Sequence, residues 1–515
     1  MAARGRRPPR ATAPRPNSRR RTDPARSVAF DVLRAVTERD AYANLLLPAL
    51  LRERGLSGRD AALATELAYG TLRGQGSYDA IIAVCSDREL DRLDPPLREV
   101  LRLGAHQLLA TRIAAHAAVA TSVDLAKDVA GPRPAGFVNA VLRRVATRDL
   151  QSWLEIAAPS RAEDLVGHLA VSHSHPRWIV EALAEALGEA TDGALTETEA
   201  VLAADGERPL VTLCAEPGLA EPAELSAAGA TPARWSPFGA YLAEGDPAQV
   251  PAVAEGRASV QDEASQLAAI ALDRVGPHRE DGRWLDLCAG PGGKARLLAG
   301  LARGRGARLL AAEVRPHRAR LLRAALAGGR ISADADGEVS ADAGDEDSAD
   351  AGGQVSADGR NRVPADAGAP EAAVVTADGT APAWRPGTFD RVLADVPCSG
   401  LGALRRRADA RWRRSAEEVA ALGPLQRALL AAALDSAAPG GVVAYVTCSP
   451  HVAETRDVVA DVLAGRGDVE VLDAPAVLAE VPGLSCPPPH GSFAQFWPHR
   501  HGTDAIFLAL LRRRD

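Results

Sequence analysis

The stretch WLDLCAGPGGK at residues 284–294 decides the fold of the second half of the chain. Its apolar beginning is typical of a buried strand, and its glycines are typical of a tight turn that leads into a helix. The apolar runs that follow are separated by segments with helical spacing, so strands and helices alternate. The further predicted strands are residues 309–314, 373–376, 391–394 and 442–446. This alternation predicts a Rossmann-like α/β domain built on a doubly wound parallel sheet.

The glycine turn predicts a nucleotide-type ligand. Gly290, Gly292 and Gly293 let the backbone approach a ligand, and the helix after them directs its amide groups toward it. Glu313 ends the next strand about 20 residues downstream, where a carboxylate binds ribose hydroxyls in dinucleotide and S-adenosylmethionine folds. A dinucleotide site usually has the spacing GxGxxG. The shorter spacing here favours a ligand without a pyrophosphate, and a solvated loop acid is the alternative for Glu313.

Two cysteines follow two of the predicted strands. Cys398 lies in the phrase DVPCS and Cys448 in the phrase YVTCSP. Ligands of open α/β sheets bind at the carboxyl ends of strands, so both thiols and the glycine turn are expected at one edge. A thiolate that adds to carbon-6 of cytosine makes carbon-5 nucleophilic. The pattern therefore predicts methyl transfer onto a pyrimidine carbon; two buried structural cysteines are the alternative.

Two aspartates lie at further predicted strand ends. Asp378 follows the strand at 373–376 and could contact the adenine or ribose of a cofactor, or it could be a turn residue before Gly379. Asp395 comes just before Pro397 and Cys398 and could face the cofactor or the target base. We predict no metal site, because none of the six cysteines forms a CxxC pair.

The first half of the chain differs in character. Residues 1–22 are rich in Arg, Pro and Ala and predict a disordered basic arm, either a solvated tail or an anchor for nucleic acid. Residues 23–150 carry apolar residues at helical spacing, which predicts a helical bundle. Residues 151–275 predict a linker and a mixed α/β subdomain, and residues 276–515 the Rossmann-like domain.

The net charge of −7 comes from one segment. Residues 331–370 hold ten acids and two arginines, which is −8, and the rest of the chain is near +1. The segment is rich in Ala, Asp and Gly and predicts a disordered acidic insertion. No apolar run reaches the roughly 18 residues of a membrane helix, and no secretory signal is evident. We therefore expect a cytoplasmic protein with reduced thiols and, by default, a monomer.

These phrases resemble the motifs of RNA (cytosine-5) methyltransferases, most closely the bacterial 16S ribosomal RNA branch called RsmB, Sun or Fmu. Residues 285–294, 395–399 and 447–449 carry this likeness. The helical part resembles the transcription antitermination factor NusB, for example in the phrases at 64–73 and 136–144. The resemblance covers nearly the whole chain after the arm and implies a NusB-like RNA-binding domain fused to a methyltransferase domain.

The resemblance also implies roles. Cys448 would be the nucleophile and Cys398 would assist release of the methylated product, although the residues alone leave the two cysteines exchangeable. Glu313 is commonly aspartate in relatives, and Ala505 stands where the family usually has glycine. The implied cofactor is S-adenosylmethionine and the implied partner is RNA. The implied cofactor-binding residues are Cys288, Ala289, Gly290, Pro291, Gly292, Gly293, Lys294, Glu313, Asp378 and Asp395.

Two other functions fit the same sequence. One is a cytosine-5 methyltransferase that acts on transfer RNA, and the other is a NusB-like RNA-binding factor whose appended domain is inactive. The intact Cys398, Cys448 and glycine turn speak against inactivity. Trp412, between two arginines, could stack on an unpaired base or cover the edge of the core.

Overall fold

The computed structural model describes residues 23–276, 281–328, 330–333, 339–342, 371–486 and 491–514. The predicted basic arm at 1–22 and most of the predicted insertion at 331–370 lie outside these residues. In the described part of the chain, no helix combines the length and apolar character needed to cross a bilayer.

The first unit is a bundle of helices, as predicted. Asp23 caps the first helix by accepting a hydrogen bond from the Arg26 N–H at 3.1 Å, and Pro24 occupies the first helical position. Trp153 and Leu154 share the same core, so the bundle continues a few residues past 150. Its helices are α1 (Pro24–Arg39), α2 (Ala43–Glu53), α3 (Gly58–Arg73), α4 (Gln75–Cys85), α5 (Pro95–Leu109), α6 (Ala115–Ala130), α7 (Ala135–Val145) and α8 (Leu150–Ala157).

A middle section connects this bundle to the large sheet. It begins with α9 (Leu165–Ser172), α10 (Arg177–Leu187) and α11 (Thr196–Gly206). A small antiparallel sheet in the order β2-β3-β1-β4 follows. Its elements are β1 (Val211–Ala215), α12 (Pro222–Ala227), β2 (Thr231–Pro232), β3 (Gly239–Leu242), α13 (Pro251–Ala254) and β4 (Ala258–Val260).

The last section is the predicted α/β unit, and all five strands proposed from the sequence are present. Its first elements are α14 (Glu263–Arg274), β5 (Arg283–Asp286), α15 (Gly293–Gly304), β6 (Arg308–Glu313), α16 (Pro316–Leu326), β7 (Arg330–Ala333), β8 (Val339–Asp342), β9 (Ala372–Thr376) and β10 (Phe389–Asp395). The remaining elements are α17 (Ala416–Ser436), β11 (Ala437–Thr447), α18 (Arg456–Ala464), β12 (Val469–Leu472), α19 (Ala474–Leu478), β13 (Ala494–Gln495), α20 (Pro498–His501) and β14 (Phe507–Arg513).

The sheet is mixed, not wholly parallel. Strands β9-β6-β5-β10-β11 run parallel, whereas β14 pairs antiparallel with β11, β12 and β13. The prediction of a parallel sheet is wrong at this end, because β14 begins at the carboxyl edge, with Phe507 opposite Thr447. In the parallel part, β5 leads outward to β6 on one side and β10 lies on the other. This reversal is the position where open α/β sheets bind ligands.

The central strands pack helices against both faces. Val442, Ala444 and Val446 join the core on one face, and Val443 and Tyr445 join the core on the other. Burial on both faces explains why these strands read as continuous apolar runs in the sequence.

Part of the acidic insertion departs from the prediction of disorder. Strands β7 and β8 pair antiparallel, with Ile331 opposite Ala341 and Ser332 opposite Ser340. The repeated phrase of one branched apolar residue, serine and alanine supplies the short extended segments. The expectation of disorder does not hold for these two segments.

Candidate active site

The two cysteines singled out in the sequence lie side by side. Their Sγ atoms are 3.1 Å apart, and both residues are half-buried. Strand β10 ends at Asp395 and β11 ends at Thr447, and the two strands are parallel neighbours. The loops that follow them therefore leave the sheet at the same edge, as the sequence predicts.

The two thiols differ in their affinity for a proton. The pKa of Cys448 is lowered, chiefly because the Cys398 thiol donates a hydrogen bond to it, and the charge of Lys294 acts in the same direction. The same hydrogen bond, followed by burial, raises the pKa of Cys398 well above its usual value. The contact therefore lets one thiol of the pair stabilise a negative charge on the other, and the positive charge of Lys294 favours that charge on Cys448.

A buried glutamate holds both thiol loops in position. Glu454 is fully buried, and its carboxylate accepts hydrogen bonds from the Ser399 N–H at 2.7 Å, the Ser399 hydroxyl at 2.5 Å and the Gln426 amide at 3.1 Å. Its backbone carbonyl accepts from the Tyr445 hydroxyl at 2.8 Å. The Ser399 and Ser449 hydroxyls lie 3.1 Å apart, which joins the two loops directly. The serine after each cysteine was the available sequence signal, but nothing local indicated Glu454.

One ion pair connects the glycine turn with the end of the strand that precedes Cys398. Lys294, at the start of α15, donates to Asp395 at the end of β10 with a distance of 2.8 Å. Burial disfavours the charge on Lys294, but the neighbouring Asp395 outweighs it and raises the pKa of the lysine. Both predicted residues thus lie together between the turn and the cysteines.

Asp286, the last residue of β5, was not singled out in the sequence. It is buried, and its carboxylate oxygens form no well-aligned hydrogen bond with the described residues, the Cys288 N–H being the one backbone donor that acts on them. Burial, with a smaller contribution from the charge of Asp395, raises its pKa to about 8, although the nearby Cys288 amide opposes this. Buried polar groups are nearly always hydrogen-bonded, so Asp286 has free acceptor capacity for a ligand.

The predicted turn residues line the space beside Asp286. A side chain at Gly290 would collide with the carboxylate of Glu313, so the glycine lets this carboxylate lie against the turn. Glu313 is buried at the end of β6 and accepts from the Arg315 N–H at 2.8 Å. Gly292 has φ of +126°, a conformation that L side chains rarely adopt, and it leads directly into α15.

The other turn residues differ in exposure. Ala289 is buried and donates its N–H to the Ala312 carbonyl at 2.9 Å, whereas Pro291 and Gly293 are exposed. The pKa of Cys288 is raised, first by burial and then by the charge of Asp286, so its thiol stays protonated at neutral pH.

Asp378 lies beside this cluster, because the N–H of the preceding Ala377 donates to the Glu313 carbonyl at 3.2 Å. It is exposed, and its carboxylate accepts from the Thr380 N–H at 2.9 Å and the Thr380 hydroxyl at 2.8 Å. These backbone and hydroxyl hydrogen bonds lower its pKa. Both hydrogen bonds are those of a turn residue, and its predicted role in cofactor binding stays a prediction. Among the described residues, no group of three or more His, Cys, Asp and Glu is arranged to hold a metal ion.

Two family models match this chain. The model described as 16S rRNA methyltransferase RsmB/F matches residues 360–512, and the NusB family model matches residues 23–147. The second match coincides with the helical bundle, and the first covers the strands that carry both cysteines.

Several curated proteins are similar over nearly the full length. A putative methyltransferase from Mycobacterium tuberculosis is 48% identical, covering 98% of this chain and 99% of the relative. A probable ribosomal RNA small subunit methyltransferase B from Synechocystis is 30% identical, covering 95% and 99%. A ribosomal RNA small subunit methyltransferase B from Pseudomonas putida is 31% identical, covering 94% and 98%.

One solved structure has the same overall fold. The crystal structure of PH0851 superposes with a TM-score of 0.69 at 20% identity, covering 95% of this chain and 99% of that one. At this identity the likeness concerns the fold alone, and it extends over the helical bundle, the middle section and the large sheet.

Proposed function

Because the chain belongs to the RsmB/F family of 16S rRNA methyltransferases, we propose that it methylates carbon-5 of a cytosine in 16S ribosomal RNA. The observation that carries this proposal is the 3.1 Å contact between the Sγ atoms of Cys398 and Cys448. A pair of structural cysteines would need no polarised thiolate, whereas this chemistry needs one thiol as nucleophile and a second group to complete the reaction.

We assign the attack to Cys448. Its thiolate adds to carbon-6 of the cytosine, which forms a carbon–sulfur bond and moves electron density to carbon-5. The lowered pKa of Cys448 keeps a larger share of the sulfur ionised at neutral pH. Lys294 and Asp395 lie beside it, and their charged groups suit the polar edge of the ring.

We assign the completing step to Cys398. After methylation, Cys398 gives its proton to solvent, because the Cys448 sulfur is then bound to carbon-6 and carries no charge, and the Cys398 thiolate takes the proton from carbon-5. The electrons of that carbon–hydrogen bond re-form the double bond between carbon-5 and carbon-6, and the carbon–sulfur bond breaks to return the Cys448 thiolate. Cys398 contacts the sulfur that leaves, and its thiol is held in that position by the loop that Glu454 fixes. The target base must be turned out of its stack before either thiol can reach it.

The residues around the glycine turn fit S-adenosylmethionine. This cofactor supplies an electrophilic methyl group when it is bound. Its ammonium, sulfonium and ribose hydroxyl groups call for carboxylates, and the buried acceptor oxygens of Asp286 together with Glu313 supply them. The residues 288–294 would hold the rest of the molecule, as the sequence predicts.

The NusB-family match supports a role for the helical unit in holding RNA. Methylation of ribosomal RNA would place the protein in the cytoplasm, where we propose that it acts as a monomer.

The proposal is tested by methyl transfer from radiolabelled S-adenosylmethionine to 16S ribosomal RNA and to transfer RNA. We expect wild-type protein to form 5-methylcytidine in the ribosomal RNA, Cys448→Ala to form none, and Cys398→Ala to accumulate a covalent RNA adduct. Cys486→Ala, outside this site, serves as the control.

Three results would contradict the proposal. If only transfer RNA receives the methyl group, the proposed substrate is wrong and transfer RNA takes its place. An adduct that accumulates in Cys448→Ala would exchange the two roles. A wild-type protein that methylates no RNA would leave an RNA-binding factor with an inactive domain.

A further inference from the structure

A short basic segment connects the catalytic loops with the helical bundle. Residues 405–414, here called the arginine bridge, read RRRADARWRR and contain six arginines and one acid. The bridge starts just after Gly402, whose N–H donates to the Cys448 carbonyl at 2.9 Å. A side chain at Gly402 would collide with the Ala505 carbonyl. The start of the bridge is therefore fixed against the loop of the nucleophile.

The middle of the bridge is anchored by one buried arginine. Arg411 is fully buried and donates to the carbonyls of Arg73 at 3.0 Å, Ser174 at 3.2 Å and Asp205 at 2.6 Å. Those carbonyls belong to the end of α3, the loop before α10 and the end of α11. Arg411 therefore fixes the bridge to the bundle and the middle section, and its guanidinium is used for structure.

The far end of the bridge meets the bundle at Tyr42. Arg413 donates to the carbonyls of Asp40 and Ala41, the latter at 2.7 Å, and its guanidinium lies 4.5 Å from the Tyr42 ring centroid. Arg407 approaches the same ring at 5.0 Å. Tyr42 nevertheless remains 40% exposed, so part of this ring is open to solvent.

Two cations of the bridge, Arg407 and Arg414, make no direct ion pair with a described residue, although Arg407 still interacts with the charge of the nearby Asp409. Among the described residues, Arg407 and Arg414 form no ion pair or side-chain hydrogen bond, and the Nε of Arg407 is buried without a partner. By contrast, Arg406 is paired with Asp504, and Arg413 lies 3.4 Å from Asp409. In the bridge, six arginines face the single acid Asp409, and this excess of guanidinium groups on a fixed backbone suits phosphate, which arginine binds through its planar fork.

An aromatic side chain accompanies these cations. Trp412 is 37% exposed, while its ring packs closely against Gly76 at the start of α4. Both interpretations of Trp412 thus hold in part, because it covers an edge of the core and still presents surface. Free guanidinium groups beside exposed aromatic rings are the combination that binds single-stranded nucleic acid.

The position of the bridge defines what part of the RNA would meet it. Arg407 lies near Gly400, two residues after Cys398, with its Nη1 3.8 Å from where a β-carbon at Gly400 would be. An RNA strand that delivers a base to the thiols can therefore continue along Arg407 toward Tyr42 and the bundle.

We propose that the arginine bridge, together with Tyr42, is the docking surface for the single-stranded RNA next to the target nucleotide. This inference rests on the proposed function for the identity of the target, but RNA binding to the bridge can be measured without methyl transfer. Arg407 and Arg414 contact backbone phosphates, and the exposed parts of Tyr42 and Trp412 contact bases.

The test is RNA binding by the full-length protein over a series of salt concentrations. The probe is a fluorescent single-stranded RNA oligonucleotide that contains cytosines, measured by anisotropy. We expect Arg407→Ala combined with Arg414→Ala to weaken binding by roughly tenfold. The slope of log affinity against log salt should decrease by about 0.7 for each phosphate that the variant no longer binds. With 16S ribosomal RNA as substrate, KM should rise and kcat at saturating RNA should stay unchanged.

The matched control is Arg308→Ala. Arg308 is an exposed arginine at the first residue of β6, so it lies at the sheet edge opposite the thiols. Arg407→Lys keeps the charge and should retain most of the affinity. Arg414→Ala alone decides the question if the Arg407 variants unfold, because the Arg414 side chain forms no ion pair or hydrogen bond with the described residues.

The outcomes separate this inference from the proposed function. Variants that bind RNA like Arg308→Ala, with an unchanged salt slope, overturn the docking surface even if wild type methylates RNA. If the wild-type protein binds RNA through these arginines but transfers no methyl group, the proposed function is overturned and the proposed docking surface is retained.

Discussion

The thiol loops and the glycine turn occupy the same edge of one sheet, yet the buried carboxylates of the two regions differ in their hydrogen bonding. In the thiol loops, the buried carboxylate of Glu454 is satisfied by protein donors from Ser399 and Gln426. In the glycine turn, the buried carboxylate of Asp286 has no well-aligned hydrogen-bond partner in the described residues, and only the Cys288 N–H acts on it. A satisfied buried acid fixes the geometry of its surroundings, whereas an unsatisfied one reserves its capacity for a ligand.

The largest effect is expected at Glu454. Glu454→Ala leaves the Ser399 N–H, the Ser399 hydroxyl and the Gln426 amide without their acceptor in a buried site, which should reduce the free energy of unfolding by about 3 kcal/mol. Thermal unfolding followed by circular dichroism measures this change, and methylation should fall with it because both thiol loops lose their fixed position.

A matched pair of variants sharpens that result. Glu454→Gln keeps the size and one acceptor oxygen, so it should be less destabilising than Glu454→Ala. Glu470→Ala removes an acid that is half exposed beside Arg512, and it should change stability little. If Glu454→Ala were as stable as Glu470→Ala, the structural role of the buried carboxylate would be refuted.

Below about pH 6, a smaller effect with the opposite sign is expected at Asp286. The usual pKa of an aspartate is 3.8, whereas burial raises the pKa of Asp286 to about 8 in the folded protein. The folded state therefore holds a proton that the unfolded state has lost between pH 4 and pH 8, so this group reduces stability as pH rises through that window. Asp286→Asn cannot ionise and should be more stable than wild type, with a difference that grows from pH 4 to pH 8, by at most about 1.4 kcal/mol per pH unit.

The same variant should lose ligand affinity. Asp286→Asn removes the carboxylate that we assign to S-adenosylmethionine, so calorimetric titration should show weaker binding of the cofactor. Glu470→Gln, which alters a half-exposed acid of the edge strand β12, is the control and should change neither stability nor affinity appreciably. Unchanged cofactor binding by Asp286→Asn would remove this residue from the proposed site.

The smallest effect concerns the two thiols. Cys398→Ala removes the donor that chiefly lowers the pKa of Cys448. The pH midpoint for alkylation of Cys448 by iodoacetamide should then move upward, and labelling at pH 7 should slow. Mass spectrometry of the peptide that contains Cys448 measures the rate, and Cys486→Ala should leave it unchanged. A midpoint that stays fixed in Cys398→Ala would show that Lys294, not the thiol contact, controls Cys448.

The sequence allowed prediction of features that repeat locally along the chain. Apolar runs that end in Asp395 and Thr447 identified β10 and β11, and parallel pairing then required Cys398 and Cys448 to meet. The glycine turn and Glu313 followed from the same reasoning. Helix α2 was harder to predict, because it contains Pro48, which usually signals a break.

Features that depend on distant packing could not be predicted in this way. Glu454 lies 55 residues after Ser399, and no spacing rule connects a short helical turn with that loop. Asp286 was visible in the decisive stretch, but its lack of partners depends on what neighbouring strands bring to its side chain. The antiparallel β14 likewise depends on the path of the chain after β13, which crosses back at the carboxyl edge.

The long reach of Arg411 affects the order in which the protein can be completed during synthesis. Its carbonyl partners lie 338, 237 and 206 residues earlier in the chain. The helical bundle emerges from the ribosome first and can close its own core. The three carbonyls, however, receive their hydrogen bonds only after Arg411 has been translated. Final docking of the two halves is therefore a late, non-local event, and contacts of such high sequence separation form slowly.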